Sequence, residues 1–109
     1  MTVYFGEIET YTTNVLSPRQ YNGRRLISLT GSYGSAFLWF YPEDASLPDN
    51  RKRAGQNMFD VYYPMSYWTA VLDLLRNESP LYFNFSDSSN AVQIYSGREP
   101  VGEEEASAA

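Results

Sequence analysis

Arginines and tyrosines are the residues of this sequence whose types and spacing could do chemistry. Residues 51–53 read Arg-Lys-Arg, and the pair Arg24-Arg25 opens a strand-like run. Arginine presents a planar fork of N–H donors that matches phosphate and stacks on flat rings. Tyrosine supplies such rings, and the combination is typical of sites that bind single-stranded nucleic acid or a nucleotide. The predicted ligand-binding residues are Arg24, Arg25, Arg51, Lys52, Arg53, Tyr33, Tyr62 and Tyr63.

The overall charge argues for a second hypothesis. The 109 residues carry 8 Lys+Arg and 13 Asp+Glu, a formal net charge of −5, whereas dedicated nucleic-acid binders usually show a basic stripe and a high pI. A short cationic cluster is also common in a solvated loop. Abundant Tyr and Arg are equally typical of protein interfaces. We therefore favour a non-catalytic protein-interaction or binding module that self-associates, with the anionic ligand as the alternative.

Several kinds of chemistry are disfavoured by composition. The sequence has no Cys and no His, which removes thiolate sites, the commonest general base and the commonest metal ligand. Glu7 and Glu9 are two apart on a predicted strand, as paired catalytic carboxylates could be, but an exposed strand face is the favoured explanation because nothing nearby in the sequence indicates a substrate cleft. The acidic residues show no calcium-loop spacing. The expectation is no enzymatic activity, no metal and no cofactor.

Hydrophobic periodicity predicts the elements that position these residues. Alternating or aromatic runs predict strands at 3–13, 24–30, 35–41, 56–63, 80–85 and 91–97. The run 64–77 places Met65, Trp68, Val71, Leu72 and Leu75 on one helical face. Residues 42–56 contain two prolines and mixed charges, which predicts a long loop. The segment 35–41 is apolar on both faces, so both faces of that strand need a cover.

These elements predict a single α+β domain over residues 1–101. Its fold is an antiparallel sheet of about six strands in the order β-β-β-β-α-β-β, with one amphipathic helix packed on it. Residues 102–109, rich in Glu and Ala, are predicted to form a disordered acidic tail. One helix covers one face of 35–41, so a second copy of the chain or an unidentified protein partner would cover the other. No membrane span or secretory signal is apparent, and a cytoplasmic location is expected.

Overall fold

A computed structural model describes residues 2–97, and they form an α+β fold with a curled, mixed, seven-stranded sheet. The strands are β1 (Val3–Val15), β2 (Arg25–Gly31), β3 (Gly34–Tyr41), β4 (Arg51–Lys52), β5 (Met58–Pro64), β6 (Leu81–Ser86) and β7 (Ala91–Ser96). The helices are α1 (Pro18–Tyr21) and α2 (Trp68–Asn77), the latter preceded by a 3-10 turn at Met65–Tyr67. Within this part of the chain, no helix has the length and apolar character to cross a membrane. The predicted tail lies outside the described residues.

The sheet differs from the predicted one in strand number and direction. Its order is β4-β5-β3-β2-β1-β6-β7, and β3 pairs with β5 in parallel from Ser35↔Met58 to Tyr41↔Pro64. After β3, the chain crosses to the edge of the sheet and forms β4 there. It then reverses direction and forms β5, which lies between β3 and β4 and pairs antiparallel with β4. The prediction of a purely antiparallel sheet is therefore wrong. The predicted loop at 42–56 contains β4, the one strand that was not predicted, which raises the number of strands from about six to seven.

Strand β1 causes much of the curl because it pairs with two different neighbours. Residues 3–7 pair with β6, residues 8–15 pair with β2, and the register shifts between Ile8 and Thr10. Gly6 lies just before this point, and a Cβ there would collide with the Ser32 hydroxyl. A glycine inside a strand often accompanies a bulge or bend, and here it precedes the register shift at which β1 changes partners.

The helix α2 packs its apolar face into the core of the curled sheet, as its periodicity predicts. Val71, Leu72 and Leu75 are buried in the same cluster as the core residues of the strands. The Trp68 ring meets Phe40 edge-on, with centroids 5.0 Å apart. The predicted start at residue 64 is slightly early for an α-helix, because residues 65–67 form the 3-10 turn.

The core joins both ends of the sheet. Its buried strand residues are Ile27, Leu29, Ala36, Leu38, Phe40, Phe59, Val61, Leu81, Phe83 and Phe85. Phe59 on β5 lies 5.2 Å from Phe83 and 5.1 Å from Phe85 on β6, centroid to centroid. Asn50 Nδ2 also donates to the carbonyl of Asn90 at 3.1 Å, which links the β4 side to the β6–β7 turn. The curl is thus held by aromatic packing between strands distant in the sheet.

Gly34 is expected to be necessary for the parallel pairing. Its φ is +115°, and a Cβ there would collide with the backbone carbonyl of Asn57, the residue just before β5. We expect Gly34→Ala to lower the free energy of unfolding by about 2 kcal/mol or more, since backbone strain alone costs roughly 1–3 kcal/mol. Urea unfolding measures this. Gly55→Ala is the matched control: its φ is +71° but nothing lies within 4 Å of the added Cβ. Equal losses in the two variants would contradict the expected collision.

Candidate functional site

The site lies on the face of the sheet opposite the core and is positioned by the alternation of β3. Ala36, Leu38 and Phe40 are fully buried in the core. The intervening Phe37, Trp39 and Tyr41 point to the other face and are half-buried. Strand β5 follows the same rule, because Phe59 and Val61 enter the core while Asp60 and Tyr62 do not. The parallel register places Asp60 opposite Phe37 and Tyr62 opposite Trp39.

Asp60 is the centre of this site. Among the charged residues between 2 and 97, Asp60 alone is buried, with 1% of its surface exposed. Arg53 donates to both carboxylate oxygens, from Nε to Oδ2 and from Nη2 to Oδ1, each at 2.9 Å. Arg51 Nε donates to Oδ2 at 3.0 Å, and Trp39 Nε1 donates to Oδ1 at 3.2 Å. The carboxylate is therefore bound on both oxygens by two arginines and an indole.

These contacts keep the carboxylate ionised. Burial acts to raise the pKa of Asp60, but the hydrogen bonds from Arg53, Trp39 and Arg51 outweigh it and hold that pKa below its ordinary value. Burial, followed by the nearby Asp60 charge, raises the pKa of the Tyr62 phenol. At neutral pH the site thus presents an ionised carboxylate, charged guanidinium groups and a neutral phenol.

A pocket of about 170 Å³ opens next to Asp60. It is lined by Arg24, Trp39, Tyr41, Arg51, Arg53, Asp60 and Tyr62. The Arg24 guanidinium lies over the Tyr41 ring, 4.4 Å from its centroid, and Tyr41 meets Tyr62 edge-on at 5.6 Å. Asn50 Oδ1 accepts from the backbone N–H of Tyr62 at 2.9 Å, which fixes this part of the β5 edge. Aromatic rings and guanidinium groups therefore surround the same opening.

The pocket has more cations than its carboxylate can neutralise. Three arginines and one aspartate give the lining a formal charge of +2. Arg51 uses only Nε on Asp60, its side chain is 64% exposed, and its two Nη groups donate to no residue between 2 and 97. The Arg24 guanidinium likewise donates no hydrogen bond to a residue between 2 and 97, while its contact with the Tyr41 ring holds it in place. The arrangement can therefore accept an anion without breaking the Asp60 contacts.

The structure brings together four of the eight residues predicted from the sequence. Arg24, Arg51, Arg53 and Tyr62 line the pocket. Arg25 points the other way, with its guanidinium 5.1 Å from the Trp68 ring centroid. Lys52 lies 5.3 Å from the centroid of the Tyr4 ring, away from its two arginine neighbours. Strand alternation separates these cations, since neighbours in sequence face opposite sides.

Two predicted tyrosine platforms lie in or against the core instead. Tyr33 is 6% exposed and stacks on Phe83, with centroids 4.6 Å apart. Tyr63 stacks on Phe40 at 5.4 Å and packs against the core cluster. Neither ring lies in the pocket, because Tyr33 folds from the β2–β3 turn into the core and Tyr63 takes a core-facing position of β5.

Sequence reasoning missed Asp60, Trp39 and Tyr41. A signal for Asp60 was present: it is the single charged residue within the otherwise apolar and aromatic run 58–63. Trp39 and Tyr41 alternate with Leu38 and Phe40, so parity along the strand could have separated platform residues from core residues.

Comparisons with protein-family models, with curated proteins and with solved structures found no match, so function is inferred from the site alone. Residues 2–97 also contain no group of three or more acidic side chains able to hold a metal ion.

Proposed function

We propose that the protein is a non-catalytic binding module whose pocket binds a phosphate group of a ligand that also contains a planar base. A nucleotide and single-stranded nucleic acid share this chemistry. The observation that carries the proposal is the surplus of guanidinium donors beside aromatic rings: Arg24 and Arg51 line one opening with Tyr41 and Tyr62. Arginine forks bind phosphate oxygens with short, charge-assisted hydrogen bonds.

Asp60 supports this function by positioning the arginines. A carboxylate that is almost fully buried holds Arg51 and Arg53 in fixed rotamers, so less side-chain entropy is lost when a phosphate arrives. It also leaves the Arg51 Nη groups turned outward. A positively charged pocket on a chain of net charge −5 favours recognition at short range over general attraction to polyanions.

The pocket volume limits which part of the ligand enters. Pockets that enclose a whole drug-sized molecule measure about 300–1,000 Å³, and this one measures about 170 Å³. A phosphate group fits inside, while a base would lie outside on the exposed sides of the Tyr41 and Tyr62 rings. Base stacking on such rings tolerates any sequence, so we expect little preference among bases.

A fluorescence titration tests the proposal. Trp39 lines the pocket and Trp68 packs on the opposite face, so a Trp68→Phe background leaves the pocket indole as the reporter. Adenosine monophosphate, inorganic phosphate and an oligothymidylate of about ten nucleotides are titrated at low and moderate salt. We expect saturable changes, with an oligonucleotide affinity that falls with salt at a log–log slope of roughly −1 to −2 for two contacted phosphates.

Arg24 and Arg25 provide a matched pair of variants for this titration. They are adjacent and carry the same charge but lie on opposite faces of the sheet. Arg24→Ala is expected to weaken binding about tenfold or more, since hydrogen bonds to charged groups contribute roughly 1.5–3 kcal/mol. Arg25→Ala should change it less than about twofold. Equal weakening by both variants, or no binding of any probe at millimolar concentration, would refute the proposal.

The probes also separate the two sources of phosphate. If the oligonucleotide binds much more tightly than the mononucleotide, the ligand is a strand that contacts the sheet beyond the pocket. If the two bind equally well at a single site, the ligand is a free nucleotide. Inorganic phosphate that binds as tightly as either would mean that the rings contribute nothing.

The self-associating module favoured by the sequence needs a different surface from the one first expected. That hypothesis depended on an uncovered face of 35–41. In the structure, the Arg53 guanidinium lies 4.8 Å from the Phe37 ring centroid and Arg24 covers Tyr41. The chain's own arginines thus cover part of this face.

A further inference from the structure

The two edges of the sheet differ in how well they are protected. At one edge β4 has two residues, and the segment 51–53 places three cations there. Short strands and charged side chains are the usual means of blocking pairing with another chain. At the other edge β7 has six residues, Ala91–Ser96, with no charged residue and no proline. Among residues 2–97, β7 pairs with β6 alone.

The backbone groups of β7 that face outward can be assigned from the ladder. The Gly97 N–H donates to the Pro80 carbonyl at 2.9 Å, directed towards β6. Antiparallel ladders alternate, so Tyr95, Gln93 and Ala91 also direct their N–H and C=O groups to β6. Val92, Ile94 and Ser96 then direct theirs away from the sheet. No strand within residues 2–97 pairs with these groups, so they can pair with a strand of another chain.

We propose that β7 pairs antiparallel with β7 of a second copy, with Gln93 opposite its own counterpart. This register places Val92 opposite Ile94 of the other copy, and the reverse, at hydrogen-bonded positions. Both residues lie on the core side of β7, because they pair with Phe85 and Phe83. The register therefore continues each apolar face into the other copy and brings no like charges together.

The second copy is the occupant that the edges themselves favour. The protected β4 edge cannot extend a β7 edge over six residues, so head-to-tail growth into a fibre is blocked. Pairing of β7 with itself about a two-fold axis uses the same surface on both copies and closes on a dimer. Each dimer would contain a continuous sheet through β6, β7 and their counterparts.

A charge-swap experiment at Gln93 tests this interface. Gln93 is exposed and points away from the core, so its substitution leaves the fold intact. We expect sedimentation velocity from about 1 to 100 µM to show a reversible dimer for the unmodified chain. Gln93→Lys and Gln93→Glu should each raise the dimer dissociation constant about fivefold or more, because like charges then oppose each other across the two-fold axis. An equal mixture of the two variants should restore association.

Two controls fix the interpretation. Gln93→Thr keeps an uncharged strand-forming residue and should keep the dimer. Thr69→Lys adds the same charge on the exposed side of α2 and should also keep it. A chain that is monomeric at 100 µM, or a dimer that Gln93→Lys leaves unchanged, or a mixture that fails to recover, would overturn the β7 interface. The measurement uses no ligand, so its outcome is independent of the phosphate pocket.

Discussion

Asp60→Asn is expected to make the protein less stable while making it bind phosphate more tightly. The substitution keeps the shape of the side chain but removes the charge that Arg51 and Arg53 share. Those arginines are 64% and 35% exposed, so they can turn to water and the loss is smaller than for a fully buried ion pair. We expect the free energy of unfolding to fall by about 1.5–3 kcal/mol, the usual range for hydrogen bonds to charged groups.

The affinity should move in the opposite direction, because the amide oxygen of the variant still accepts one of the two Arg53 hydrogen bonds and the gain in charge outweighs the positioning that is lost. Removing one negative charge raises the formal charge of the pocket lining from +2 to +3. A unit charge a few ångströms away contributes ~1 kcal/mol at a wet surface, which corresponds to about a fivefold gain in phosphate affinity. Urea unfolding and the fluorescence titration measure the two effects separately. Asp73→Asn on the exposed side of α2 changes the net charge equally and should do neither.

Acid provides an independent check on the Asp60 result. Because the pKa of Asp60 is lowered in the folded state, its contribution to stability is complete above the ordinary Asp value of about 3.9 and is lost as the pH falls through the lowered pKa. The stability difference between the unmodified chain and Asp60→Asn should therefore be constant near neutrality and shrink below about pH 4. A difference that is the same at pH 7 and pH 3 would contradict the ion-pair role.

The strands and α2 were accessible from the sequence because their signals are local. Alternation in 24–30, 80–85 and 91–97 and the helical spacing of Val71, Leu72 and Leu75 each depend on burial of one face. The parallel pairing of β3 with β5 has no such local signal. It depends on β4, to which the chain crosses after β3 and which leaves space for β5 between the two strands. It also depends on Gly34, whose missing side chain lets the Asn57 backbone approach.

The site was predictable in part for the same reason. The cations were evident from the sequence, but which of them lie together depends on strand register. Arg25 and Lys52 are each one residue away from a pocket arginine, and therefore lie on the opposite face of the sheet from the pocket. Tyr33 lies in the turn between β2 and β3, where an exposed ring is a reasonable expectation, yet the ring stacks on Phe83 in the core. Asp60 could be singled out as a charge in an apolar strand, whereas its two arginine partners could not be assigned without the β4–β5 pairing.

Phe59→Ala is expected to have the largest effect on stability of any single change considered. Phe59 is fully buried, and four aromatic rings surround it, those of Tyr4, Tyr33, Phe83 and Phe85, at centroid distances of 5.6, 6.5, 5.2 and 5.1 Å. Truncation of a buried Phe to Ala costs about 3–5 kcal/mol. That is a large share of the roughly 5–15 kcal/mol that stabilises a typical domain. Thermal and urea unfolding measure it, and Phe5→Ala, at a residue 66% exposed, should change stability by less than about 0.5 kcal/mol.

The milder Phe59→Leu separates stability from binding. Phe59 and Asp60 are adjacent on β5 but face opposite sides, one into the core and one towards the pocket. A leucine leaves a smaller void than alanine, so the variant should stay folded while losing part of that stability. Its phosphate affinity should match the unmodified chain, because no pocket residue changes. Arg24→Ala should show the reverse, with affinity lost and the unfolding midpoint nearly unchanged. If Phe59→Leu instead weakened binding tenfold, the pocket geometry would depend on core packing through β5, and Asp60 could not be treated as fixed by its arginines alone.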